Sequence, residues 1–205
     1  MTVRSATDAL IAEGLVARRH GSGTYVLPQP ILRFLGLTSF SQDMRERGLV
    51  PGSRTLGFAT EPADGPTAAD LRIPVDTPVH RFTRLRLGSG EPMAVETVCI
   101  PEVLAPGLGA ADLDGSLYEL LASRYRLEMG SASVAIEPVL PDASTRRLLG
   151  IPDEQACLRL RMTDLDARGK VIMTADCVYR GDRYQLRADV RGPAFAASVG
   201  ARRAG

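Results

Sequence analysis

Arg84 and Arg86 flank Leu85 in a stretch, Val79 to Leu87, that alternates apolar with polar residues. Alternation predicts a strand, and its period of two places both guanidiniums on one face. Two like charges side by side on a largely buried sheet face are costly unless an anion joins them. Such a pair is what a phosphate or carboxylate site needs. The hydroxyls of Thr38, Ser39 and Ser41, near the start of a segment with helical spacing, can complete an oxyanion cradle. The opposing reading pairs one or both arginines with carboxylates of the same domain, Glu96 or Glu137. Glu96 lies among Met93, Val95, Val98 and Ile100, so it is either an exposed-face residue or a pocket acceptor for a hydroxyl or amine. Ser116 either caps a helix or faces a ligand, and Tyr118 and Tyr179 are either contacts or core aromatics with satisfied hydroxyls.

No catalytic set accompanies these residues. His20 and His80 have no evident partner, and there is no serine elbow, metal-ligand spacing or phosphate-cradling glycine loop before a helix. Cys99, Cys157 and Cys177 are scattered and read as small buried hydrophobes in a reducing cytosol. No catalytic residue, metal or cofactor is therefore expected. With a formal net charge of +1, the 205-residue chain carries no global basic field, so any DNA affinity must be local. Nearly all positive charge is arginine, with Lys170 the single lysine. Hydrophobic residues make up 44%, enough for one sizeable core. No apolar run reaches membrane-helix length and no signal layout opens the chain, so the expected location is cytoplasmic.

The elements that must position these groups follow from local pattern. Leu37 to Arg47 has helical spacing closed by Gly48. Arg54 to Ala59 tends to a strand, and Ala68 to Leu71 reads as a short helix. Val79 to Leu87, a Gly88-Ser89-Gly90 turn and Met93 to Ile100 form a hairpin. Ser116 to Tyr125 is helical, with Asp114 or Gly115 as cap. An internal echo follows: Leu71-Arg72-Ile73-Pro74 leading to a strand through Arg81, and Leu149-Gly150-Ile151-Pro152 leading to a strand through Arg159. This predicts two related halves, each a small helix leading into a hairpin, paired across one sheet with a pocket between them. Asp182 and Arg183, crowded into a strand-to-turn segment, read as an ion-pair network fixing the sheet end.

The first residues carry a different signal. Val3, Ala6, Ala9, Leu10 and Leu15 recur at helical spacing, Gly14 ends the helix, and Arg18-Arg19-His20-Gly21-Ser22-Gly23-Thr24-Tyr25-Val26 makes a basic hairpin. Thr2-Val3-Arg4, Glu13-Gly14-Leu15 and Arg19 to Val26 together resemble the recognition helix and wing of the GntR family of bacterial transcription regulators. The resemblance implies DNA contacts from Thr2, Arg4, Arg18, Arg19, His20, Gly21 and Gly23, with the glycines letting a tight hairpin approach the backbone. Residues 1–27 read as a partial winged helix-turn-helix. The two helices that precede the recognition helix in that family are missing, through either a misassigned start codon or a genuine truncation. The 205 residues alone are accordingly expected to bind operator DNA weakly or not at all.

Residues 28–34, opened by Pro28-Gln29-Pro30, read as a stiff linker, 35–193 as one α+β domain, and 194–205 as a disordered tail. Leu37 to Met44 with Arg47-Gly48, Arg84-Leu85-Arg86, Glu91 to Glu96 and Tyr179 to Tyr184 occur in the order found in the UTRA domain. That domain is the effector-sensing module of the HutC subfamily. The resemblance implies a chorismate-lyase-like fold, an antiparallel sheet with flanking helices, and effector contacts from Arg84, Arg86, Glu96, Ser116, Tyr118 and Tyr179. One place departs from the aminosugar-phosphate sensors, which carry an acidic residue where this chain has Met173.

The reading is a ligand-responsive DNA-binding regulator, a repressor, working as a homodimer and sensing a small anionic metabolite such as a sugar phosphate. The alternatives are a truncated effector-binding and dimerisation module without DNA affinity, or a chorismate-lyase-like enzyme.

Overall fold

The computed structural model describes residues 3–12, 16–19, 23–26, 31–34 and 39–187. The residues it describes at the N-terminus are a helix, α1 (Val3–Ala12), and an antiparallel hairpin of β1 (Val16–Arg19) and β2 (Gly23–Val26). No residue of α1 is buried. Next comes β3 (Ile31–Phe34), the last four residues of the expected linker, which pairs in parallel with β10 (Tyr184–Arg187). The Pro28–Pro30 break and the expected tail lie outside the described residues.

The remainder is one six-stranded antiparallel sheet. In chain order its elements are α2 (Phe40–Glu46), β4 (Pro51–Pro62), α3 (Gly65–Leu71), β5 (Pro78–Gly88), β6 (Glu91–Pro101), α4 (Leu117–Tyr125), β7 (Ser131–Val139), α5 (Ala143–Leu149), β8 (Cys157–Leu165) and β9 (Val171–Arg180). Two single 3-10 turns, at 102–104 and 110–112, lead into α4. The strand order is β4-β5-β6-β9-β8-β7. Each half is strand, helix, hairpin, and the halves meet at the β6·β9 pair. The echo in the sequence is thus a two-fold pattern in the sheet.

Short polar signals set the helix ends. Ser39, Asp64, Ser116 and Asp142 each accept a backbone N–H from three residues on, which satisfies an amide that the first turn leaves open. Arg72, Arg126 and Gly150 end α3, α4 and α5 in the left-handed conformation. Of the expected helix from Leu37 to Arg47, residues 37 and 38 lie outside the described residues, and α2 runs from Phe40 to Glu46 with Ser39 as its cap. The cap of α4 is Ser116, not Asp114 or Gly115.

Alternation along the strands assigns the two faces. Phe82, Ala94, Val98, Leu160 and Ala175 face α2 and α4, where Phe40, Met44, Leu117 and Leu121 close the main core. On the other face α3 packs Ala68 and Leu71 over Val79 and Cys99, and α5 packs Leu149 over Leu85 and Cys157. Burying a leucine side chain contributes about 1.5–3 kcal/mol, so these few contacts hold each helix on its hairpin. Among the described residues no helix is long and apolar enough to cross a membrane.

Candidate functional site

Arg84 and Arg86 share the face of β5 that lies under α2 and α4, and both are almost fully buried, at 1% and 2% exposure. Their environments differ. Arg84 donates from Nε and Nη2 to Glu96 Oε2 at 2.9 and 2.5 Å, and from Nη1 to the carbonyls of Leu113 and Gly115 at 3.2 and 3.4 Å. Glu96 stands beside it because the β5·β6 register pairs the two positions. The carboxylate pairing weighed for one or both arginines is therefore realised tightly by Arg84 and loosely by Arg86. Glu137 takes Arg161 instead.

Arg86 is held less completely. Nη2 donates to Ser41 Oγ at 3.2 Å, Nη1 sits 3.7 Å from Glu96 Oε2, and the guanidinium lies over the Phe40 ring at 4.6 Å. Nε and Nη1 make no hydrogen bond. Burial pushes this guanidinium below the ordinary arginine range; Glu96 opposes that and Arg84 adds to it. At this end of the site two guanidiniums face one carboxylate, and a buried cation with open N–H donors is the arrangement that an anion stabilises.

The cavity is bounded by both halves of the sheet and by the helices above it. Its wall includes Ser39, Phe40, Arg84, Arg86, Glu96 and Leu117, then Tyr118, Met162, Asp164, Met173, Ala175, Cys177 and Tyr179. The free space at its centre is about 30 Å³, room for about two water molecules at 10–15 Å³ each. Ser39 is largely engaged, capping α2 through Gln42 N–H at 3.1 Å and accepting the Ser116 hydroxyl at 3.4 Å. Ser116 realises the cap reading and stands at the rim through that bond. Tyr118 donates to Asp164 Oδ2 at 2.8 Å. Tyr179 stacks on Tyr184 with centroids 4.1 Å apart, and Tyr184 donates to Asp43 Oδ2 of α2 at 3.2 Å. A chain of contacts so joins the cavity wall to β10 and, through the parallel pair, to β3.

Several expected groups stand elsewhere. Thr38, Thr2, His20 and Gly21 lie outside the described residues. Arg4 is exposed on α1, Arg19 lies in β1, and Gly23 opens β2 at φ +102°. Arg18 sits 3.5 Å from Asp8, both half-exposed, a pair weak enough to yield to another anion. His80 is buried and partnered after all, with Nδ1 2.8 Å from Thr60 Oγ1 and Nε2 3.0 Å from the Ala105 carbonyl. Arg180 and Asp182 pair at 2.7 Å and Arg183 reaches Glu91 at 3.1 Å, so this segment does tie the sheet end together.

The sequence reading missed Asp164 and Phe40. A signal existed for the first: Asp164 falls two residues after Met162 and four after Leu160, an acidic group on an otherwise apolar strand face. Phe40 carried none, since a core aromatic and a ring beneath a guanidinium look alike before packing.

Residues 46–185 match the UTRA domain model. The chain is 35% identical over 185 residues to the HTH-type transcriptional repressor NagR of Bacillus subtilis (strain 168), covering 90% of this chain and 76% of that protein. It is 30% identical over 188 residues to the HTH-type transcriptional repressor PhnF of Mycolicibacterium smegmatis, covering 91% and 76%. The crystal structure of PhnF from Mycobacterium smegmatis superposes with a TM-score of 0.80 at 29% identity, over 93% of this chain and 84% of that one. The six-stranded sheet and these matches agree: the chain belongs to the GntR-family transcriptional regulators that carry a HutC-like UTRA domain.

Proposed function

We propose that this regulator senses a small anionic metabolite, of the size and charge of a sugar phosphate, through Arg86 with Arg84, Glu96, Ser41 and Tyr179 around it. The observation that carries the reading is Arg86: a nearly fully buried guanidinium with two nitrogens lacking hydrogen bonds, on the wall of a cavity. The anion binds there and supplies the missing acceptors. Thr38, Ser39 and Ser116 complete its surroundings, Ser39 and Ser116 by exchanging their present bond for one to the ligand, and Tyr118 bounds the remainder of the ligand from α4.

A space of about 30 Å³ does not admit such a molecule, so binding lifts α2 and α4 from the sheet. Asp43 on α2 bonds Tyr184, Tyr184 stacks on Tyr179, and β10 pairs with β3. Expansion of the cavity therefore shifts β3 and, through the segment around Pro28 and Pro30, the helix and hairpin that present Arg4, Arg18, Arg19 and Gly23, with Thr2, His20 and Gly21, to operator DNA. Homodimerisation through the UTRA domain would align two such units on a palindromic site in the cytoplasm. The ligand must bind the two arrangements unequally, a difference of about 1–3 kcal/mol in regulators of this kind.

Titration calorimetry with inorganic phosphate and with hexose phosphates tests the reading. Stoichiometric binding without turnover is expected, together with its loss in Arg86→Ala. Unchanged affinity in that variant, or conversion of the added compound, overturns it.

A further inference from the structure

The cavity has a second polar end, which the anion does not use. Asp164 is fully buried, at 0% exposure, in the wall beside Met162, Met173 and Ala175, and accepts the Tyr118 hydroxyl at 2.8 Å. Its position relative to the arginines follows from the register. Arg84 lies level with Leu160 through Glu96 and Cys177. Asp164 is four residues further along β8. Three strand spacings, about 14 Å, and four residue rises, about 13 Å, separate the two backbone positions. With both side chains reaching inward, on the order of 10 Å is left between guanidinium and carboxylate. Between them the wall is mostly apolar, with Met162, Ala175 and Leu117, while Met173 stands level with Asp164 across the β8·β9 pair.

We infer that Asp164 is the specificity-determining residue of the effector site, and that it takes a hydrogen-bond-donating head, an ammonium or a hydroxyl, at the end of the ligand opposite its anionic group. The inference rests on the anion reading above and adds the other half of the ligand. A carboxylate taken from water is stabilised by charge-assisted donors, and an ammonium provides the strongest. The intervening methionine, alanine and leucine offer contact to a short carbon skeleton but no polar partner. The effector class is thus a two-ended molecule: anion, short carbon body, donor head. Tyr118 holds the carboxylate in place from α4, so a ligand that engages Asp164 also bears on the helix that must move when the cavity opens.

The test uses the whole chain and a homologous set of probes: inorganic phosphate, alkyl phosphates from ethyl to hexyl, and the same chains ending in a hydroxyl or an ammonium. Calorimetry should show that the best ammonium-ended ester binds at least about tenfold more tightly than the methyl-ended ester of equal length, with the hydroxyl-ended one between them. Asp164→Asn should erase that order and leave inorganic phosphate binding unchanged. The ligand series on the unaltered protein decides the matter even where the variant folds poorly. Equal affinity across the three heads at every length, or binding of phosphate but of no ester, overturns the inference while the anion site stands. Failure of phosphate and of every ester overturns both.

Discussion

The two halves of the sheet share a skeleton and differ in what they turn toward the cavity. In the first, Asp64 caps α3 through Thr67 N–H, the helix ends in a left-handed Arg72, and the hairpin that follows carries Arg84, Arg86 and Glu96 inward. In the second, Asp142 caps α5 through Thr145 N–H, the helix ends in a left-handed Gly150, and the matching places hold Met162, Asp164 and Ala175. Caps and turns set where a side chain stands. They leave its chemistry open, so one scaffold used twice yields a cavity with a cationic end and an acidic end. The repeat is structural, and the proposed site draws on its asymmetry.

The largest expected effect breaks the first half. Arg84→Ala leaves the partly buried Glu96 with only the more distant Arg86 and removes a fully buried side chain from the core, which costs about 3 kcal/mol, to be read from the denaturant midpoint at constant slope. Replacing both partners, Arg84→Met with Glu96→Leu, should recover only part of that in the same measurement, because it leaves the buried Arg86 without its carboxylate. If Arg84→Ala is no less stable than the parent, the pair is not what holds this end together. Arg86 should behave in the opposite sense. Its guanidinium is buried with unmade hydrogen bonds, so Arg86→Met should raise the stability of the ligand-free protein by about 1–3 kcal/mol while removing anion binding. A lower melting temperature for Arg86→Met would mean that Ser41 and Phe40 already compensate the charge.

That opposition between neighbours was only half legible in the sequence. The spacing of Arg84 and Arg86 gave their common face, because a strand's period is two whatever surrounds it. It did not say which arginine Glu96 would take, since that depends on β5·β6 register and on a bulge after Arg86. The two halves were legible because their cap and turn residues repeat locally. The cavity-facing role of Asp164 was not, because it needs β8, β9 and α4 brought together from distant parts of the chain. Likewise β3 read as linker: four residues with no partner nearby form a strand only when β10 arrives from the far end. His80 looked unpartnered for the same reason, its ligands Thr60 and Ala105 being supplied by tertiary packing.

A smaller effect sharpens the equivalence of the helix ends. Arg72 holds φ +55° where Gly150 holds φ +64°. A side chain in that region is strained relative to glycine by about 1 kcal/mol. Arg72→Gly should therefore be neutral to slightly stabilising, and Gly150→Arg destabilising by about 1–2 kcal/mol, in thermal melts of the two variants. Destabilisation of similar size in both would show that the arginine makes contacts the glycine position lacks, and the skeleton would be less symmetric than its backbone.

The subtlest difference is one of pH. Asp142 is held down to about 2, first by the Ser144 hydroxyl and then by the Thr145 N–H. Asp64 is also lowered, by Thr67. A carboxylate whose folded value is depressed stabilises the fold above its ordinary range near about 4 and loses that contribution as pH falls through the folded value. Asp142→Ala should then melt below the parent at neutral pH, with the gap narrowing from about pH 4 downward and closing near pH 2. Asp64→Ala should show the same sign over the same acid side. Because α3 and α5 each seat one hairpin on the sheet, a gap that persists unchanged at low pH in either variant would mean that the capping carboxylate acts there by shape and not by charge, and that the two halves are anchored by different physics.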